Sequence, residues 1–484
     1  MTSSDAEICS LPATELREFI RRRRLSPVEI MEAHLGRAQA LNTALNAIVT
    51  FAPDALEQAR AAERALMRVE NLLPLHGLPL TVKDTIATGG LRTTSGSRVR
   101  AEYVPADDAP AVARLRAAGA IVFGKTNASE LALDYNTDNP VFGRTNNPHD
   151  PALTPGGSSG GCAAAVSACL SPASLGSDLV GSIRIPAHFC GVAGLFPTPG
   201  RFPGGGHFPP TEGTLAAGAS VGPLARRVDD LSLLFDALAR EDNSHNSSFA
   251  HEPGQPVSET QLRGLRVGYY TDDGVVRVTA ETKGAVESAA RALAEAGMET
   301  FEACPPEMAR ATELWLALFS RSVGDVVRAE YAGREDEGGA AVRALLRRER
   351  EAPPVAPGTY ADTCAERDRL RESLLERMRE TPLLLAPVGA VAAFPHGARK
   401  VMAGAGEVNT FRAFGYAHAC NVFALPAVSV PAGRTRAGLP VGVQIIGRPF
   451  AERLVLAAAR LVEAALGGWR MPEIALPSGG TTPL

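Results

Sequence analysis

Long apolar runs and paired metal-binding residues are what this 484-residue sequence most clearly lacks. No uninterrupted stretch of about 18 apolar residues occurs, so we expect no membrane-spanning helix and no membrane partner. The nine histidines form no H-E-x-x-H motif, and the seven cysteines are scattered without a C-x-x-C pair. No G-x-G-x-x-G motif follows a predicted strand. The sequence therefore predicts no metal and no cofactor.

Strong charge of either sign is also missing, and this narrows the range of partners. The formal net charge of -4 supplies no basic surface for phosphates, so nucleic-acid binding is not expected. The first ten residues carry Asp5 and Glu7 where an export signal would carry positive charge, which favours a cytoplasmic protein. Lysine is scarce, with four in the chain, so each lysine beside an apolar segment is a candidate for function.

Apolar periodicity and turn residues predict an α/β protein. The first 70 residues favour helices, with Thr14 and Ser26 as expected N-caps. From His76 onward, short apolar segments separated by glycine and proline alternate with helical patterns. Buried strands are expected at 78–82, 120–124, 383–388, 424–433 and 439–449.

These elements assemble most simply into a large mixed β-sheet core covered by helices on both faces. No internal repeat and no charged linker divides the sequence. We therefore expect a single domain over residues 1–484, with a helical N-terminal layer at about 1–70 and a core at about 75–200.

The glycine-serine segment TPGGSSGG at 154–161 carries the first chemical signal. Such segments are commonly flexible linkers. Its match to G-x-S-x-G, the nucleophile elbow of α/β-hydrolases, would need a strand directly before Ser158. Three prolines in the preceding ten residues oppose a strand there, so the elbow is not favoured. The glycines can instead bring backbone close to a substrate.

A second segment, LGSDLVGSIRIPAHFCG at 175–191, places Ser182 after a polar turn that contains glycine. Such a turn can aim successive N–H groups at one point, as an acyl-transfer enzyme requires for a developing oxyanion. A strand-to-helix turn without chemistry explains the segment equally well.

Lys83 stands in the third segment, GLPLTVKDTIATGG at 77–90, between an apolar strand and Asp84. An ion pair with a carboxylate would be its structural explanation. The functional alternative is a general base, because burial lowers the pKa of lysine toward neutrality and a neutral amine can activate a hydroxyl.

In this order, the three segments and GKTNASELAL resemble the amidase signature family. The similarity runs from about Leu75 to Pro199, and the tail segments ALPAVSVPAG and LPVGVQIIGRPF are similar to the family's C-terminal part. The resemblance implies the amidase signature fold and a Ser-Ser-Lys triad. In that triad Ser182 is the nucleophile, Ser158, preceded by a cis peptide bond, is the proton shuttle, and Lys83 is the base.

The resemblance also implies a set of supporting residues. Backbone N–H groups around Leu179, Val180, Gly181 and Ser182 would hold the oxyanion, while Ser159, Asp178 and Arg184 would brace the loop. Val180 stands where the family usually has glycine, and a β-branched residue is strained there if the backbone needs a positive φ. Phe196 replaces a lysine that is common in the family.

The resemblance implies an amidase, a hydrolase that cleaves the C–N bond of a linear carboxylic amide through a Ser182 acyl-enzyme. The products are an acid and an amine or ammonia, and the expected partner is a small-molecule amide. Two alternatives stay open: the glutamine-hydrolysing A subunit of a tRNA-dependent amidotransferase, and a catalytically weak amidase-like binding protein, motivated by Val180. The segment GGGHFPPTEGTLAAGASVGP does not resemble the tyrosine-glycine and serine-rich run that is typical of the former. A homodimer is left open.

Residues 307–379 and 199–222 are expected to line the substrate entrance. Four side chains fit either an apolar channel or the buried face of a core helix: Trp315, Leu316, Phe319 and Tyr331. His188 and His207 lie near the loops and are interpreted as structural histidines. The sequence does not predict which amide is the substrate.

Overall fold

A computed structural model describes residues 3–68, 72–239, 254–351 and 358–474 of the chain. The α-helices are α1 (Ser3–Ser10), α2 (Ala13–Arg21), α3 (Pro27–Leu45), α4 (Ala55–Leu66), α5 (Pro110–Ala117), α6 (Gly160–Ser167), α7 (Arg184–Cys190), α8 (Val228–Leu238), α9 (Glu259–Leu262), α10 (Ala280–Glu295), α11 (Ala311–Glu330), α12 (Ala340–Glu351), α13 (Thr359–Glu380), α14 (Thr410–Ala413), α15 (Gly415–Val422) and α16 (Glu452–Leu466). The strands are β1 (Ile48–Phe51), β2 (Pro79–Lys83), β3 (Ile121–Thr126), β4 (Ala173–Asp178), β5 (Ala193–Phe196), β6 (Ser220–Ala225), β7 (Arg266–Tyr269), β8 (Glu299–Glu302), β9 (Leu383–Pro387), β10 (Lys400–Ala403), β11 (Gly406–Asn409), β12 (Ala427–Arg434) and β13 (Pro440–Gly447).

One mixed 11-stranded sheet organises the molecule, in the order β1-β3-β2-β4-β6-β5-β12-β13-β9-β7-β8, beside a separate hairpin of β10 and β11. Strand β2 runs parallel to β3 and β4, and β7 runs parallel to β8 and β9. The other neighbouring pairs in the large sheet are antiparallel. The predicted large mixed sheet is confirmed.

Helices cover both faces of this sheet, as the alternation along β9 illustrates. Leu383 and Leu385 pack into one apolar cluster with residues of α8, α10 and α16. Leu384 and Ala386 point the other way, into a second cluster with residues of α11, α13 and α15. Because successive side chains of a strand alternate between faces, a strand buried on both faces is apolar throughout.

The predicted strands correspond to β2, β3, β9, β12 and β13. Ser26 caps α3 as expected, its Oγ accepting from the Glu29 N–H at 3.1 Å. The Thr14 cap is wrong: α2 begins at Ala13, and the Thr14 N–H and hydroxyl donate to Asp230 at 2.8 and 2.9 Å. No helix within the described ranges is long and apolar enough to cross a bilayer, and a cytoplasmic location stays a prediction.

The helical N-terminal layer also contains a strand, because β1 pairs antiparallel with β3 at the edge of the sheet. The single-domain organisation over residues 1–484 stays a prediction.

Strands β2 and β4 are parallel neighbours, so their carboxyl ends meet at one edge of the sheet. Lys83 ends β2 and Asp178 ends β4, while α6 and α7 begin at Gly160 and Arg184, each two residues after a candidate serine.

Candidate active site

Lys83 is fully buried at the end of β2. Its Nζ lies 2.6 Å from the Oγ of Ser158 and 2.9 Å from the Oγ of Ser177. Among the described residues it forms no ion pair, and the neighbouring Asp84 carboxylate instead accepts from Thr94. Burial lowers the pKa of Lys83 to about 7, because a charged amine loses its hydration there. A large share of these amines is therefore neutral near pH 7.

Ser158 follows a cis peptide bond, Gly157–Ser158, as the resemblance implied. The residues before it form no strand, which agrees with rejecting the nucleophile elbow. The loop is tightly packed: a Cβ on Gly157 would lie 2.3 Å from the Asp134 carbonyl oxygen, and one on Gly160 would lie 2.3 Å from Thr137 Oγ1. The glycines therefore permit close packing of this loop, and the segment is an ordered part of the site, not a flexible linker.

Ser182 is buried and lies on the wall of the same cavity as Ser158. Its carbonyl oxygen accepts from the Ser159 N–H at 3.2 Å, which ties the glycine-serine loop to the turn after β4. Within the described part of the chain its hydroxyl has no hydrogen-bond partner. The structure thus places the Lys83 amine in direct contact with the Ser158 hydroxyl. Ser158 and Ser182 both line one cavity, and their hydroxyls do not hydrogen-bond to each other.

The turn at 178–182 presents backbone N–H groups beside Ser182, with one correction to the expected set. The N–H of Gly181 donates to Asp178 Oδ1 at 2.7 Å, so this group is already bound and is not available to an oxyanion. The N–H groups of Leu179, Val180 and Ser182 have no acceptor among the described residues. Three of the four expected donors are therefore available.

Two side chains hold the carbonyl groups of this turn. Trp315 Nε1 donates to the Leu179 carbonyl at 2.7 Å, and the Tyr135 hydroxyl donates to the Val180 carbonyl at 3.0 Å. His418 Nε2 lies 2.8 Å from the same Tyr135 oxygen, and since that hydroxyl has one proton, Nε2 must be the donor. Fixing the carbonyls fixes the peptide planes, and hence the direction of the N–H groups.

A buried ion pair lies beneath the turn. Arg184 Nε donates to Asp178 Oδ2 at 3.1 Å, and the other guanidinium nitrogens reach Gln444 Oε1 at 2.9 Å and Asn421 Oδ1 at 2.7 Å. Burial alone would raise the pKa of Asp178, but the charge and hydrogen bonds of Arg184, together with the hydrogen bonds of Ile183 and Asn421, leave the pKa below its usual value. The guanidinium also lies 4.8 Å from the Phe196 ring, which gives that unexpected residue a packing role.

A family model described as Amidase matches residues 29–456. The chain belongs to the amidase signature family. The A subunit of glutamyl-tRNA(Gln) amidotransferase from Thermus thermophilus is 38% identical over 478 residues, which cover 93% of this chain and 97% of that protein. A crystal structure of an amidase has a TM-score of 0.83 at 30% identity, covering 94% of this chain and 100% of that one. The structure of the Thermotoga maritima A subunit has a TM-score of 0.73 at 26% identity, covering 97% and 98%.

Val180, where amidase signature proteins usually have glycine, is not strained. The residue of the turn with a positive φ is Gly181, at 96°, and Val180 does not adopt a positive φ. The condition under which valine would have strained this backbone is therefore not met. Val180 instead lines the cavity, where valine occupies more volume than glycine would.

Ser159, the remaining predicted supporting residue of this amidase signature chain, is the N-cap position of α6. Its Oγ donates to the Ser177 carbonyl at 3.1 Å, and it lies 3.4 Å from the Ser177 nitrogen. Ser159 therefore joins the start of α6 to the last residues of β4, while the Lys83 amine bonds to Ser158 and Ser177.

A cavity of about 710 Å³ opens over the two serines. Most of its wall is apolar and includes Leu131, Leu133, Leu179, Pro209, Leu345 and Phe411. Trp315 and Leu316 line it as an apolar channel would require. Phe319 belongs to the core, packed 5.9 Å from the Trp315 ring, and Tyr331 is buried where its hydroxyl donates to Glu130 at 2.6 Å. Trp315 and Leu316 therefore fit the apolar-channel interpretation, while Phe319 and Tyr331 fit the buried-core interpretation.

The second buried lysine, Lys125, has a supporting position. Residues 119–126 match the spacing G-x-x-x-x-G-K-T of phosphate-binding loops, but they run into strand β3 instead of forming a loop. The Lys125 amine donates to Thr88 Oγ1 at 2.8 Å and to Thr93 Oγ1 at 3.1 Å. It thereby holds the segment that follows Lys83.

Sequence reasoning missed Ser177 and did not foresee that His207, interpreted as a structural histidine, contacts it. His207 lines the cavity, with Nε2 2.8 Å from Ser177 Oγ and Nδ1 2.6 Å from the Pro209 carbonyl oxygen. Its position in the glycine-rich loop 199–222 was the available signal, since that loop was expected at the entrance. His188 is structural as expected: its Nδ1 accepts from the Gly442 N–H at 2.6 Å.

Proposed function

We propose that this chain is an amidase that hydrolyses the C–N bond of a carboxylic amide through an acyl-enzyme on Ser182. The observation that carries the proposal is the 2.6 Å contact between Lys83 Nζ and Ser158 Oγ, beside a cavity that Ser182 also lines. A buried lysine with a pKa of about 7 supplies a neutral amine at physiological pH, which is the form that can accept a proton.

The proposed reaction passes one proton along three side chains. Lys83 takes the proton of Ser158 while Ser158 takes that of Ser182, and the Ser182 oxygen forms a bond to the amide carbonyl carbon. The proton returns through Ser158 to the departing nitrogen as the C–N bond breaks. Water then attacks the ester and releases the acid. The Ser182 hydroxyl has no other partner among the described residues that would hold it away from Ser158, and catalytic contacts commonly form only once substrate binds.

The oxyanion of this reaction would lie against the turn after β4. We assign the donors as the N–H groups of Leu179, Val180 and Ser182, since Gly181 is bound to Asp178. Losing one such donor in other acyl-transfer enzymes costs about 2.7–4 kcal/mol of transition-state stabilisation. The Asp178–Arg184 pair acts indirectly, by holding the turn in place.

The cavity wall favours an amide with a largely apolar body. Free glutamine carries an α-ammonium group that needs an acidic partner. Of the acidic residues on the described wall, Asp134 is 2.6 Å from Arg399, and Asp178 is paired with Arg184. Apolar side chains fill most of the remaining wall, so an aliphatic or aromatic amide matches it better.

A second candidate is the glutamine-hydrolysing A subunit of a tRNA-dependent amidotransferase. The sequence comparisons support this candidate more strongly than the first, since the Thermus thermophilus A subunit is 38% identical over nearly the full length of both chains. The apolar wall of the cavity favours the first candidate.

One panel of substrates tests both candidates. The purified chain is assayed with aliphatic, aromatic and peptide amides and with glutamine, and Ser182→Ala is the control for contaminating activity. Turnover of apolar amides by the chain alone supports the proposal. Glutamine hydrolysis, or stable co-purification with a tRNA-binding partner, would replace it with the second candidate. Size-exclusion chromatography of the same preparation measures whether the chain is a homodimer.

A further inference from the structure

We propose that His207 is a positioning residue for the Lys83 base and acts on it through Ser177; this rests on the proposed function of Lys83. Three contacts join these groups in line. The Pro209 carbonyl oxygen lies 2.6 Å from His207 Nδ1, His207 Nε2 lies 2.8 Å from Ser177 Oγ, and Ser177 Oγ lies 2.9 Å from Lys83 Nζ.

The chemistry of these atoms fixes the direction of each hydrogen bond. A carbonyl oxygen only accepts, so the proton of the imidazole is on Nδ1 of His207. Burial lowers the pKa of His207 to about 3, so the ring is neutral and its Nε2 is an acceptor. The Ser177 hydroxyl therefore donates to Nε2, and its oxygen accepts from the Lys83 amine.

This direction leaves the lone pair of Lys83 free to face Ser158. A neutral amine has two N–H bonds and one lone pair, and one N–H is directed at Ser177. The lone pair is then available to the hydroxyl of Ser158, 2.6 Å away. Without His207, the Ser177 proton can turn toward the same lone pair and compete with Ser158 for it. His207 thus prevents a competing hydrogen bond, although its own hydrogen bonds go to Pro209 and Ser177 and not to the Lys83 amine.

The test is a set of variants assayed with an amide that the wild-type enzyme hydrolyses. His207→Phe fills the ring volume without an acceptor, and we expect kcat to fall about tenfold with little change in KM, the size of one competing hydrogen bond. His207→Gln places an amide oxygen near the Nε2 position and should lose less. His396→Phe is the matched control, since His396 contacts the Pro151 carbonyl at 3.2 Å and does not line the cavity.

The decisive variant is the double substitution Ser177→Ala with His207→Phe. It removes the competing hydroxyl, so we expect kcat to recover severalfold above that of His207→Phe alone. A ring that only fills space would give no such recovery. The proposal is overturned if His207→Phe stays within about twofold of wild type, or if the double variant is no more active than His207→Phe.

A second measurement does not depend on turnover or on the folding of a variant. Nitrogen NMR of the imidazole in the wild-type protein should show Nδ1 protonated and Nε2 unprotonated, and a proton on Nε2 would overturn the proposal. Failure of the proposed function would look different. In that case the wild-type chain hydrolyses no amide, or Lys83→Met is as active as wild type, whatever the tautomer of His207.

Discussion

The pH dependence of amide hydrolysis follows directly from the burial of Lys83. Burial lowers its pKa to about 7 from an ordinary value of 10.5. Only the neutral amine can accept a proton, so kcat/KM should rise with pH and level off above the pKa. Relative to the plateau, we expect about half the value at pH 7 and about one tenth at pH 6. His207, with a pKa of about 3, adds no inflection in this range.

The assay is kcat/KM for an amide substrate between about pH 5.5 and 9.5, since this parameter reports groups of the free enzyme. Thermal unfolding over the same range separates protonation of the Lys83 amine at low pH from loss of the fold. Lys83→Arg is the matched control, because a guanidinium stays charged and should be inactive at every pH. A profile that is flat down to pH 5.5, or one that still rises tenfold per unit at pH 9, would refute the assignment of Lys83 as base.

Three further substitutions test the turn and its support. Gly181→Ala should cost about 1–3 kcal/mol of unfolding free energy and at least tenfold in kcat, because φ is 96° and a Cβ would lie 2.6 Å from Ile185 Cδ1; urea unfolding and kinetics check both. Arg184→Met leaves the Asp178 carboxylate buried without its ion-pair partner and should lower the unfolding free energy by about 3–5 kcal/mol. A decrease of less than about 1 kcal/mol would contradict this role of Arg184. Val180→Gly should not raise kcat severalfold, since there is no strain to relieve; steady-state kinetics should show an effect mainly on KM for bulky amides.

Much of the fold was predictable because its central strands are buried on both faces. Strands such as β9 are apolar at every position, and the sequence shows them as short uninterrupted runs. Strand β4 was not predicted, because its residues are alanine, serine, glycine and aspartate beside a single leucine. Small residues suit a strand against which α6 packs closely, but they carry no apolar pattern.

In the site, too, the identity of the candidate residues could be predicted, but their geometry could not. Lys83, Ser158 and Ser182 could be named from motifs, since each motif is a short continuous segment. The hydrogen bond from the Gly181 N–H to Asp178 could not be predicted, because residue spacing does not give the direction of an N–H group. The sequence also cannot show which position of a turn takes a positive φ.

His207 illustrates the same limit over a longer distance. It is 30 positions from Ser177, and the two meet only through the path of the glycine-rich loop. Nothing in the composition of that loop indicates which side chain reaches the sheet edge.

Labelling with a serine-reactive phosphonate, located by mass spectrometry of peptides, tests the central claim most directly. We expect a single adduct on Ser182, no adduct in Ser182→Ala, and much slower labelling in Lys83→Met, because the lysine activates the nucleophile. An adduct on another residue, or equal labelling rates with and without the Lys83 amine, would contradict the account.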